Sequence, residues 1–113
     1  MNSKRQIKGE QYDVTELVTN AIAETDSQTL NIEAARKSLA YRGNNNPTDE
    51  QLQRYVRETA ILNKLARATG AFGFENQIGK IDFSSVDAAI VGVNSYLNRR
   101  TQGNRARWTE NHR

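Results

Sequence analysis

The chain has 113 residues, 36% of them apolar, with no cysteine, a single histidine and a formal net charge of +3 at pH 7. That length suits one domain with a modest core, and the lack of cysteine excludes disulfides, thiolate metal sites, iron–sulfur clusters and cysteine nucleophiles. A mean hydropathy of −0.80 predicts a thin core with part of the chain left unpacked.

Charge is laid out unevenly. Residues 1–8 carry Lys4, Arg5 and Lys8 and no acid, and residues 99–113 carry five arginines against the single acid Glu110. Between them, residues 9–98 hold eight Lys/Arg and twelve Asp/Glu, a net of −4. An acidic body with two basic ends is suited to binding.

Taken in chain order, residues 1–10 read as a flexible basic arm. No apolar segment follows its cations, and the longest apolar run anywhere is Ala88-Ala89-Ile90-Val91. Neither a signal peptide nor a transmembrane segment is therefore expected, and the protein is predicted to be cytoplasmic or intravirion, with no membrane partner. Val14, Leu17, Val18, Ala21 and Ile22 then recur at helical spacing and predict a first helix over 12–24. Ile32, Ala35 and Leu39 predict a second over 30–41. Gly43-Asn44-Asn45-Asn46-Pro47 breaks the chain, because glycine and asparagine tolerate left-handed backbone and a residue before proline avoids the helical region.

Thr48-Asp49-Glu50-Gln51 has the pattern of a capping box and starts the best-specified helix, 48–69, which Gly70 terminates. Tyr55, Leu62, Leu52, Thr59, Ala66, Val56 and Leu65 give it an apolar arc wider than one partner helix needs, so it is predicted to be central. Residues 70–83, with three glycines and three phenylalanines, read as a loop whose phenylalanines plug the core. A last helix over 84–100 buries Val86, Ala89, Ile90, Val93, Tyr96 and Leu97. Its second face, Ala88, Gly92 and Ser95, is small enough to admit a neighbouring backbone. Residues 101–113 show no period and read as a flexible basic tail. The fold expected is all-α, with about four helices packed around 48–69 in a single helical domain over 11–100.

Chemistry leaves few traces in this chain. His112, second from the end, has nothing to orient it. The carboxylate pairs at helical spacing read as solvated faces with i,i+4 ion pairs, and the glycines of 70–79 match neither G-x-x-x-x-G-K-[ST] nor G-x-G-x-x-G. With no triad, metal set or phosphate loop, no enzymatic activity, metal or cofactor is expected.

Two basic groups remain as candidate binding residues. On the central helix Arg54, Arg57, Lys64 and Arg67 form a row, either a solvated face partly neutralised by Glu50 and Glu58 or a binding face, with Ile61 among them as an apolar spot that is either the edge of the core or part of a contact surface. At the C-terminus Arg99, Arg100, Arg105 and Arg107 accompany Trp108, which combines phosphate-pairing guanidinium groups with an aromatic surface for base stacking. These are also residues favoured in protein interfaces. The function expected is that of a small non-enzymatic protein whose basic arms contact nucleic acid with little sequence specificity. The alternative is a helical adaptor or regulatory subunit that binds a protein partner or self-associates.

Overall fold

The structure, a computed structural model, describes residues 4–7, 9–71 and 73–111, with the side chains of Arg5 and of residues 101–111 outside that description. The fold is all-α apart from one small hairpin. Strands β1 (Lys4–Ile7) and β2 (Glu10–Asp13) precede helices α1 (Val14–Asp26), α2 (Ile32–Tyr41), α3 (Asp49–Thr69) and α4 (Val86–Asn111), with a 3₁₀ turn at Phe74–Gln77. None of these helices is long and apolar enough to cross a membrane.

Capping chemistry sets most helix starts. Asp13 caps α1 by accepting from the Glu16 N–H, and Asn31 caps α2 by accepting from the Ala34 N–H. On α3 the capping box is complete: Thr48 Oγ1 accepts from the Gln51 N–H at 3.1 Å, and Gln51 Oε1 accepts from the Thr48 N–H at 3.0 Å. Gly70 ends α3 in the left-handed conformation that a residue with a β-carbon resists. Ser85 accepts from the Ala88 N–H at the start of α4, while the neighbouring Ser84 N–H donates to Asp82.

Two terminal expectations are corrected. Residues 4–13 form an antiparallel hairpin, Lys4 opposite Asp13 and Ile7 opposite Glu10, instead of entering as an arm. Gly9, at φ +83°, supplies the left-handed backbone that so tight a reversal requires, and Ile7 is buried in the main core, which fastens the hairpin to the bundle. The tail differs as well, because α4 continues as helix to Asn111. No proline interrupts residues 98–111, and one glycine costs only about 1 kcal/mol relative to alanine, so good helix formers propagate a helix that needs no apolar stripe to continue.

The core joins Val14, Val18, Ala21 and Ile22 of α1 to Ile61, Leu62 and Leu65 of α3 and to Ala89, Val93, Tyr96 and Leu97 of α4. Phe74 and Phe83 are buried in it, as expected of plugs; Phe72 lies outside the described residues. The wide arc of α3 is shared among α1, α2 and the 3₁₀ turn, while α4 lies on α1. The segment 73–83 runs between α3 and α4, with the Gly79 N–H bonded to Glu58 of α3 and Ile81 set against Gly92 of α4. The small face at Gly92 therefore admits the side chain of Ile81, not a second helix backbone. Helix α2 is held least. Ala35 is its one buried residue, outside the main core, and the seam beneath it includes Thr59, whose buried Oγ1 lacks a hydrogen-bond partner.

Contacts along the bundle fix helix directions. Arg57 of α3 holds Asp26 at the end of α1 and the Phe83 carbonyl just before α4. Far along α3, Leu65 and Ala68 share a hollow with Tyr12 and Leu17, at the hairpin and the start of α1. Helices α1 and α3 are thus antiparallel. The segment that leaves the end of α3 brings Phe74 to 5.1 Å from Tyr96, ring centre to ring centre. So α4 begins at the Arg57 end and finishes at the hairpin end.

Candidate functional site

Three of the four cations in the row of the central helix are paired within the fold, while Arg67 is exposed. Arg54 donates through Nε to Glu58 Oε2 at 2.7 Å, and Glu58, nearly wholly buried, also accepts from the Gly79 N–H at 3.1 Å. Arg57 donates to both oxygens of Asp26, at 2.8 and 3.3 Å, and to the Phe83 carbonyl at 2.7 Å. Lys64 donates to Gln28 Oε1 at 2.9 Å. Arg57 and Lys64 tie α3 to the end of α1 and the residues after it, whereas Arg54 pairs within α3. Ile61 is fully buried beside Leu62 and Leu65, which decides for the core over a contact surface and removes it from the candidate binding residues. Sequence spacing could not reveal that the partners of Arg57 and Lys64 lie about thirty residues away.

The C-terminal cations are placed differently. Arg99 reaches Gln77 Oε1 at 3.5 Å, a long contact, and the Arg100 guanidinium lies 5.9 Å from the centre of the Tyr96 ring. Neither contact supplies a neutralising carboxylate. Arg105, Arg107 and Trp108 sit on the helical backbone beyond Arg100, with side chains outside the described residues. Because α4 finishes at the hairpin end, the topology sets the two basic ends of the sequence at the same end of the bundle. The sequence alone does not show this, since the convergence depends on the antiparallel course of α1 and α3.

At the opposite end lies a cleft of about 680 Å³, formed by the end of α1, the first half of α3 and the residues before α4. Asp26, Glu50, Glu58 and Asp82 line it against only two cations, Arg54 and Arg57. Asp26 is held below the ordinary carboxylate range chiefly by the hydrogen bond and charge of Arg57, and Asp82 by hydrogen bonds from Ser84 with help from Arg54. Both carboxylates stay ionised at neutral pH. Thr25, wholly buried, also lines this cleft, and its Oγ1 has no hydrogen-bond partner. Sequence periodicity gave no sign of the cleft, which assembles residues from 25 to 84.

Among the described residues no group of three or more His, Cys, Asp or Glu is arranged to hold a metal ion. Set beside protein-family models, curated proteins and solved structures, the chain matches none of them.

Proposed function

We propose that this chain is a small non-enzymatic protein that contacts nucleic acid through its basic end, chiefly at phosphates and with little sequence specificity. The observation that carries the reading is the convergence of the β1–β2 hairpin and the C-terminal half of α4 at one end of the bundle, which sets the backbone positions of Lys4 and Arg5 at the same end as those of Arg99, Arg100, Arg105 and Arg107. Cations on one face of a rigid body neutralise adjacent phosphates and release their counterions. The internal pairing of Arg54, Arg57 and Lys64 engages most of the central row, which favours the termini for this role. Trp108 adds an aromatic face suited to an unstacked base.

A generic oligonucleotide titrated against the full chain at two salt concentrations tests the reading. Affinity should fall with a log–log slope of about −0.9 per phosphate neutralised on a duplex. Absence of affinity at low salt would overturn it.

A further inference from the structure

The acidic cleft at the Arg57 end lies opposite the basic end, and its chemistry selects a cation. Two of its four carboxylates, Glu58 and Asp26, are paired with its two guanidinium groups, Arg54 and Arg57, which leaves Glu50 and Asp82 as the charge the cleft presents without an ion pair among the described residues. Glu50 and Asp82 are exposed at its edge, while Leu30 and Phe83 line the same hollow. An arginine fits such a site: its aliphatic stem lies on apolar surface while its planar fork meets carboxylates. The unpartnered Thr25 hydroxyl adds a hydrogen-bonding group at the buried side of the cleft.

This chain carries a matching cationic element. Residues 99–113 hold five arginines against one acid, and the backbone of α4 continues as helix to Asn111, beyond Leu97, the last core residue of α4 among the described residues. Fourteen residues past Leu97 span about 21 Å at the rise of an α-helix. The helix points away from its own cleft, because α4 begins beside the cleft and ends at the hairpin. A chain therefore cannot place its C-terminal arginines in its own cleft, but a second copy can.

We infer that the C-terminal helical segment of one copy docks its arginines into the cleft lined by Asp26, Glu50 and Asp82 of a second copy, giving a head-to-tail contact. The two surfaces involved are different, so the contact is heterologous: each copy offers one cleft and one arginine segment, and association continues into short chains or closes into a ring. The contact uses the arginines assigned to nucleic acid above, yet it does not rest on that reading, and its test contains no nucleic acid.

Sedimentation velocity of the full chain over a range of concentrations, at low salt and at about 0.5 M salt, reads the association, which should be concentration-dependent at low salt and suppressed when the charges are screened. Two variants locate it: a cleft variant, Glu50→Gln with Asp82→Asn, and a segment variant, Arg105→Ala with Arg107→Ala. Circular dichroism establishes that each is folded. Each variant alone should associate at least about tenfold more weakly than the unmodified chain, the loss expected when a charged contact worth about 1.4 kcal/mol is removed. Mixed together they should form a one-to-one complex and nothing larger, because the cleft variant still supplies an arginine segment and the segment variant still supplies a cleft. A chain that stays monomeric at low salt, a cleft variant that associates as well as the unmodified chain, or a mixture that fails to pair would each overturn the inference.

Discussion

Arg57 Nε stands 2.8 Å from Oδ1 of Asp26, and through this contact the middle of α3 holds the last residue of α1. The same guanidinium donates to the Phe83 carbonyl just before α4, so one side chain fixes three segments. Arg57→Ala should lower unfolding free energy by about 1–3 kcal/mol, most of it from the bond to Phe83, because a half-exposed ion pair contributes less than about 1 kcal/mol. Asp26→Asn should cost less than Arg57→Ala. Urea denaturation of the two variants checks the order.

The same pair sets an acid limit. The Asp26 carboxyl titrates below its usual 3.8 because Arg57 bonds its ionised form. A folded value below the unfolded one means that the contribution is complete above about pH 4 and is lost as pH falls through the depressed folded value. The denaturation midpoint should decline on acidification below about pH 4, and Arg57→Ala should flatten that decline. Equal slopes in both proteins would show that the pair has no part in acid sensitivity.

Gly92 tests the packing of the 73–83 segment. A β-carbon there would meet Ile81 Cγ2 at 2.7 Å, and a methyl branched directly from Cβ has little freedom to withdraw. Gly92→Ala gains about 1 kcal/mol of helix propensity but forces this overlap, so the net change should be a loss of about 1–2 kcal/mol. In an Ile81→Ala background, where Cγ2 is absent, the same substitution should become stabilising. Thermal unfolding of the four proteins of this cycle gives the answer.

Thr48 and Gln51 form one reciprocal unit at the head of α3. Thr48→Ala should cost about 0.5–2 kcal/mol. Gln51→Ala should cost less, and the double variant should lose less than the sum of the two, since each half of the box orients the other. Additive losses would mean that the two bonds act independently.

Removing residues 101–113 should leave the thermal transition nearly unchanged, because among the described residues Leu97 is the last of α4 in the core. The same truncation should make the salt dependence of oligonucleotide binding shallower by up to about 2.7, that is about 0.9 for each of Arg105, Arg107 and Arg113. A collapse of the fold would instead assign the segment to the core.

Helix existence was legible because period and punctuation agreed. Val14, Val18, Ala21 and Ile22 are buried on α1 as their spacing implies, and Thr48 and Gly70 bound α3 as their chemistry implies. The hairpin was not legible. Its strands are four residues each and carry only Ile7 and Tyr12 as large apolar residues, so its order comes from tertiary docking of Ile7, which no local pattern announces. Ile61 stood between core edge and contact surface for a related reason: charges at 54, 57, 64 and 67 drew a face around it, whereas long guanidinium and ammonium side chains reach around a helix toward distant partners. The site was the least legible part. That both basic ends meet, and that four carboxylates gather opposite them, follows from helix directions, and a sequence does not carry direction.

Helix α2 rests on α3 through one buried alanine and a seam in which Thr59 has an unmatched hydroxyl, so the free energy needed to lift it is a small fraction of the global value. Its backbone amides should trade hydrogen for deuterium by local opening, at rates that scarcely respond to substitutions in the main core. The amides of α3 around Ile61 and Leu62 should be released only when the whole molecule unfolds. The protein would then have a detachable flap beside a cooperative body, and the border between them would run along the length of α3, which packs one face against each.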